Sequence, residues 1–514
     1  MEQFDLGENS QSSKRDNFSQ KELIQRLAIT EAELARVLRE LYEMRKLSIT
    51  DEQLRLLMQE QLEFQREAEY GASSERYKKP IKKPEEPKAP PKPRVKQPSE
   101  RYPFLPIHER CVVQDPAPSC PCCDKEMMAS GMTEDSEQLT VIPKKYEILR
   151  LMRMKYRCSC QGAVLTVPSP PRIIPGSSYS DEMIVDVALS KYCDLIPIER
   201  YVAMAARGGV KDLPSQSLIE LTHSFADFLS SAYLRIKKRV LEARVLNADE
   251  TPHRMLEGSD KKSWYLWGFS TPEHCFLECH DTRSGDVASG VLLRSRCEVL
   301  VTDVYSGYGK AIRVTNEKRV AAGLARMSSA YCNAHARRYF HRCWPQYKEA
   351  EFYLEHYHEI YQLNAKSKGQ PPLRVVELRA QMKPRLEAMK AKALQELASY
   401  PEQSKYCKAL KYFLANYAGL TLFLEDAEVP IDNNSQERLL RSHVVGRKTW
   451  YGTHSERGAL TAAILFTLVE TCKLNQVNPR EYFKRLVVDL HDKLDPQTPL
   501  EFKLAQATAV TDVA

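Results

Sequence analysis

Three strand patterns in close succession, "ARVLNADET", "SWYLWGFST" and "HCFLECHDT", precede a short helix at "SGDVASGVLLR" and a buried-looking strand in "CEVLVTDVYSGY". With helices after them, this is the element order of an α/β ribonuclease-H-like domain. Two cysteine clusters upstream predict a small zinc finger, and an apolar heptad pattern near the start predicts coiled-coil helices. The expected fold is multidomain: a ribonuclease-H-like domain carrying a helical insertion, preceded by coiled-coil helices, a zinc finger and a helix-turn-helix-like region. At 514 residues and 43% hydrophobic content, the chain is long enough to bury several cores.

Residues 1–76 come first. Leu23, Leu27, Leu34, Val37, Leu41 and Met44 follow an a/d spacing, with Thr30 filling one gap. That pattern suits an amphipathic helix on its own protein or a short coiled-coil dimer seam. "TDEQLRLL" starts a second helix, with Thr50 and Gln53 as a capping box and Gly71 as its stop. In residues 77–105, "KKPIKKPEEPKAPPKPRVKQP" is too proline-dense for helix or sheet and predicts an extended basic linker.

Residues 106–176 hold "CPCC" and "CSC" on either side of "EQLTVIPKKYEILRLMRMKYRC", which alternates like a β-hairpin. Paired thiolate knuckles make a tetrahedral Zn²⁺ site that closes a fold with little core. Cys120, Cys123, Cys158 and Cys160 are the expected ligands, with Cys122 as the alternative. In residues 177–240, "IPIERYVAMAARGGVKDLPSQSLIELTHSFADFL" reads as helix, glycine-bearing turn, helix, with Pro214 near the second start. It suits a helix-turn-helix and, equally, any helical hairpin.

The ribonuclease-H-like part spans residues 241–340 and resumes at 431–475, interrupted by charged helices over 341–430. In the resumed part Asp432 is placed to cap a helix bearing Glu437, Arg438 and Arg441, and "GALTAAILFTLVETCKL" predicts a buried helix. Residues 476–514 supply a C-terminal helix and tail.

Composition excludes several classes. "MEQFDLGENS" has no apolar signal-peptide core, and the longest apolar stretch, "AAILFTLV", is too short to span a bilayer. Several close-spaced pairs among the 14 cysteines then read as thiolate metal ligands in a reducing compartment rather than a secreted disulfide framework, and the expected location is cytoplasmic. A net charge of +7 is modest, but the basic residues cluster, which points to nucleic acid as partner.

In the predicted layout the first and fourth strands end side by side, and those ends hold Asp249 and Asp303. Glu437 on a later helix completes the group; Glu250 and Asp432 are the alternatives to Asp249 and Glu437. Converging carboxylates repel one another unless cations balance them, and oxygen ligands favour Mg²⁺ or Mn²⁺. Two such ions about 4 Å apart suit phosphodiester exchange. The plainer reading of Glu437 and Arg441 is an i,i+4 surface ion pair.

"NADETP", "TDVYSGY", "CNAHARRYF", "IDNNSQERLLR", "VGRKTWYGTHSERGA" and "ETCKLNQVNPREYF" resemble, in that order, the motifs of the insertion sequence 66 family of DDE transposases. So do "YGASSER", the paired cysteine clusters and "SKYCDLIPIERYVAMAARGGV", which extends the resemblance from Tyr70 to Phe483. It implies a catalytic triad at Asp249, Asp303 and Glu437, a zinc finger on the four cysteines, and cleavage and transfer of element ends. It also implies that Arg438, Arg441, Arg447 and Lys448 hold phosphates, with His335, Arg337 and Arg338 near the scissile strand. The implied partners are inverted-repeat and target DNA, a second copy of the chain and small accessory proteins of the element.

Overall fold

The computed structural model describes residues 164–257 and 261–511 continuously, with shorter stretches inside 32–60, 97–109, 118–128 and 136–157. Two compact units result, Ala72–Ile148 and the remainder of the chain. In the smaller unit, Pro98–Arg101 makes one helical turn, so the expected linker is not wholly extended. Proline starts that turn because its missing N–H has no partner to lose there. Cys122 and Cys123 are exposed on the turn between the bridged residues Ser119 and Glu126. Cys120, Cys158 and Cys160 lie outside the described residues, as does most of the Leu23–Met44 heptad stretch.

The hairpin expected between the cysteine clusters is absent: described residues within 136–154 carry no strand. Strand β1 (Lys155–Arg157) pairs instead with β2 (Val164–Thr166), across the second cluster. Ile148, Leu149 and Met152 are largely exposed, so the alternating pattern has no core to bury its apolar face against.

The larger unit begins its continuous part with helices α1 (Asp181–Tyr192), α2 (Ile198–Arg207), α3 (Ser215–Phe228) and α4 (Ser230–Leu241). Helices α2 and α3 are the expected helix–turn–helix, with Gly209 taking the left-handed conformation at φ 94° in the turn. The apolar face of α3 (Leu218, Leu221, Phe225) is buried in the main core. Its exposed positions include Glu220 and Asp227, both paired to Arg457. That face presents acids rather than cations, which suits a packed hairpin better than a helix laid against phosphate.

Strands β3 (Val245–Arg254), β4 (Ser263–Ser270), β5 (Cys275–His280), β6 (Val299–Thr302) and β7 (Ser328–Tyr331) form one sheet in the order β5-β4-β3-β6-β7. The first three make the expected antiparallel meander, and β6 and β7 run parallel to β3. Helix α5 (Gly285–Leu292) leads into β6 and α6 (Ser306–Ala321) into β7. "SSAYCNAHARRYF" divides at Cys332 into β7 and helix α7 (Asn333–Cys343).

Helices α8 (Ala350–Ser367), α9 (Pro372–Ala380), α10 (Lys383–Glu396), α11 (Lys405–Ala415) and α12 (Tyr417–Thr421) fill the expected helical segment. They have their own aromatic core, with Phe340 stacked on Tyr353 at 4.1 Å and Tyr347 on Tyr406 at 5.3 Å. Leu54, Leu57 and Glu60, on a described piece of the second N-terminal helix, are also buried, and Glu60 accepts a 2.7 Å bond from the Lys405 N–H.

The chain returns to the sheet through α13 (Asn434–Trp450) and α14 (Glu456–Leu474), then ends in α15 (Pro479–His491) and α16 (Pro499–Thr511). As its sequence predicts, α14 is buried along most of its length. It closes the open edge of β5: Thr467 accepts from the Leu277 N–H at 2.9 Å, and Thr471 accepts from Cys275 N–H and donates to its carbonyl. Side-chain hydroxyls thus satisfy an edge that would otherwise invite another strand. Among the described residues no helix is long and apolar enough to cross a membrane.

Candidate active site

Asp249 lies on β3 and Asp303 directly follows β6, whose parallel register sets Asn247 against Val301. The two acids therefore emerge from neighbouring strands. The Asp303 carboxylate accepts the Tyr305 N–H at 3.0 Å, and Asp249 accepts the Glu250 N–H at 3.0 Å. Burial, together with the negative charges of Glu250, Asp303 and Glu437, pushes the Asp249 carboxyl up to about 8. No lysine or arginine among the described residues pairs with it. Asp249 thus sits among like charges with no basic partner of its own among the described residues.

The two alternative acids have other occupations. Glu250, its side chain 2% exposed, accepts Tyr308 OH at 2.5 Å and Arg283 Nε at 2.8 Å, which satisfies both oxygens. Asp432 accepts the Asn434 N–H at 3.1 Å and Tyr361 OH at 3.0 Å, tying the helical segment to the start of α13. Glu437 sits in the first turn of α13 with Oε1 buried and without a hydrogen-bond partner. Its ion-pair neighbour is His335 Nδ1 at 3.6 Å, not Arg441. Cys332 completes a group of three whose ligand atoms lie within 4.8 Å of one another. The Cys332 sulfur already accepts the Asn433 N–H at 3.2 Å, and burial pushes its thiol up to about 12.

Helix α13 is fixed to β3 at both ends, by residues that sequence reasoning did not single out. Near its start, buried Asn433 donates to the Ala248 carbonyl and accepts from Asn247 Nδ2, each at 2.8 Å. Gln436, fully buried, fills the notch above Gly268, the residue opposite Asp249 in the β3–β4 register. Towards the other end, His443 Nε2 lies 3.3 Å from His253 Nδ1, and Arg447 donates to the Pro252 carbonyl. Arg447 is thus turned onto the strand, whereas Arg438, Arg441 and Lys448 are exposed on α13, and Arg337 and Arg338 are half-buried on α7. The paired asparagines of "NADETP" and "IDNNSQER" were the available signal, since buried amides need partners.

The His253–His443 pair predicts a pH response. Burial and the charge of Arg447 depress both imidazoles, His253 to about 4. Unfolded histidine takes its proton near pH 6.5, so between those values the unfolded chain binds more protons and stability falls as pH falls. Unfolding at pH 7 and pH 4.5 is expected to differ by about 2 kcal/mol from this source. His443→Phe, packed on Phe466, should flatten the slope; an unchanged slope would remove the pair as its origin.

The family model described as "Transposase IS66 family" matches residues 176–461, more than half of the chain. The chain belongs to the IS66 transposase family. Every strand of the five-stranded sheet, both aspartates and Glu437 fall within the matched residues. Similar curated proteins of this family member come from Sinorhizobium fredii and are called uncharacterized proteins. One, y4hP, is 24% identical over 432 residues, covering 79% of this chain and 77% of that protein. Another, y4jD, is 26% identical over 400 residues, covering 73% and 76%.

Proposed function

We propose that this IS66 family protein is a metal-dependent DNA strand-transferase that cuts and joins the ends of its element through Asp249, Asp303 and Glu437. The observation that carries the reading is the like-charge pocket: two carboxylates just past the parallel-paired stretch of neighbouring strands β3 and β6, faced by a helix tied to β3. The sheet order and strand directions support a ribonuclease-H-like class for this domain. Oxygen donors, a buried Glu437 oxygen without a hydrogen bond and, among the described residues, no basic partner for Asp249 fit hard divalent cations, Mg²⁺ or Mn²⁺. When bound, such cations activate an attacking hydroxyl and stabilise the leaving oxygen of a phosphodiester.

The chain's own residues do the rest. Tyr308 and Arg283 hold Glu250 out of the pocket, leaving Asp249 free to bind. Exposed Arg438, Arg441 and Lys448, near Glu437 or farther along its helix, would take phosphate oxygens, with Arg337 and Arg338 from α7. Arg447 belongs to this set only if it releases the Pro252 carbonyl. The partners are the inverted-repeat ends and target DNA, with a dimer or larger assembly of the chain, accessory proteins of the element, and Zn²⁺ on Cys120, Cys123, Cys158 and Cys160 as further parts of the reading.

The test uses purified chain, Mg²⁺ and duplex DNA carrying the element ends. The parent is expected to nick or join the ends, and Asp303→Asn to abolish this while DNA binding persists. Binding without cleavage by the parent, or an Asp303→Asn variant as active as the parent, would leave a DNA-binding regulator in place of an enzyme.

A further inference from the structure

His335 and Glu437 face each other from two helices that belong to different parts of the chain. His335 is in the first turn of α7, just after β7, and Glu437 is in the first turn of α13. His335 Nδ1 and Glu437 Oε1 are 3.6 Å apart, beyond hydrogen-bond reach. Both atoms are shielded from solvent, and neither has a hydrogen-bond partner among the described residues. A carboxylate oxygen and an imidazole nitrogen without hydrogen bonds in a shielded site are costly unless something bridges them. Two donors each about 2.1 Å from one ion stand roughly 3–3.5 Å apart, close to the separation found here. The third member of the group, the Cys332 sulfur, is occupied by the Asn433 N–H.

We infer that His335 is a nitrogen ligand of the cation held at Glu437, and that it biases this site towards a first-row transition ion such as Mn²⁺ over Mg²⁺. Carboxylate oxygens alone accept either ion; an imidazole nitrogen adds little for Mg²⁺, which is reluctant to exchange water for nitrogen, and more for a transition ion. The inference rests on the proposed carboxylate site and extends it by one residue. It does not require His335 to move a proton.

The experiment is Mn²⁺ binding to the full, untagged chain without DNA, followed by electron paramagnetic resonance, with Mg²⁺ as competitor and ¹⁵N-histidine labelling. The parent is expected to bind Mn²⁺ with a nitrogen coupling that changes with the label. His335→Ala should lose the coupling and weaken Mn²⁺ binding about tenfold or more, with a smaller change for Mg²⁺. His335→Gln, which keeps a polar side chain of similar reach, should also lose the coupling, with unfolding measured on both variants to confirm the fold. Bound Mn²⁺ with no nitrogen coupling in the parent, or coupling that survives in His335→Ala, would overturn the inference. In that case loss of Mn²⁺ in Asp303→Asn would still uphold the carboxylate site. A parent that binds no Mn²⁺ would overturn both.

Discussion

In the absence of divalent ions, Asp249→Asn is expected to melt several degrees above the parent at pH 8, although the same change cuts strand cleavage in Mg²⁺ by about a thousandfold or more. The stabilisation follows from the surroundings of Asp249. Buried beside Glu250, Asp303 and Glu437, its carboxyl keeps its proton up to about pH 8. In the unfolded chain the same group ionises near pH 3.9. Between those values the folded state binds more protons than the unfolded one, so stability falls as pH rises through the window. Asparagine carries no charge in either state and escapes this loss.

The advantage of the variant should therefore be small at pH 4, grow to pH 8 and then level off. Asp249 is only half-buried, and solvent screening limits the gain to about 2–3 kcal/mol. Saturating Mn²⁺ should reverse the order, since the cation stabilises only the chain that retains the carboxylate. Melting curves in chelator and in Mn²⁺, taken across pH, provide the check. Equal stability at pH 8 in chelator would mean that Asp249 is not held among like charges.

The sheet was legible in the sequence because its signals are local. Alternation over short runs marked β3, β4 and β5, and a continuous apolar run marked β6 with Asp303 at its end; Asp249, expected at a strand end, falls instead inside β3, which runs on to Arg254 in its pairing with β4. That Glu250 is already engaged while Asp249 is not paired to a base among the described residues was not legible. It depends on Tyr308 and Arg283, which lie 58 and 33 residues from Glu250 along the chain. The attachment of α13 was equally hidden, because Asn247 and Asn433 are 186 residues apart, and an asparagine reads as a turn or cap until its partner is known. Arg447 illustrates the same limit: a basic residue in a basic motif reads as a phosphate ligand, and only the fold shows its guanidinium directed at Pro252. The alternating stretch before Cys158 was legible only at its end: Lys155–Arg157 pair in β1, while Ile148, Leu149 and Met152 are exposed and form no strand.

Gly285→Ala should be the most damaging single-methyl change near the site, costing about 2 kcal/mol or more in stability and over tenfold in cleavage. Gly285 opens α5 directly against the backbone of Gly307 in the first turn of α6. A Cβ there would run into the Gly307 carbonyl, with the carbonyl carbon at 2.9 Å and Cα at 3.2 Å. Both obstacles are main chain, so no side chain can rotate away; one helix start must shift. Asp303 is tied to that start through the Tyr305 N–H, and Tyr305 OH in turn donates to the Arg283 carbonyl at 2.9 Å. A displaced α6 therefore carries the second aspartate with it, away from Asp249. Gly290→Ala in the same helix is the control: a Cβ there meets nothing within 4 Å, and alanine is the better helix former by about 1 kcal/mol. Urea unfolding and end cleavage measured on both variants separate the effects. If Gly285→Ala proved as stable and active as Gly290→Ala, the α5–α6 contact would not be what seats Asp303.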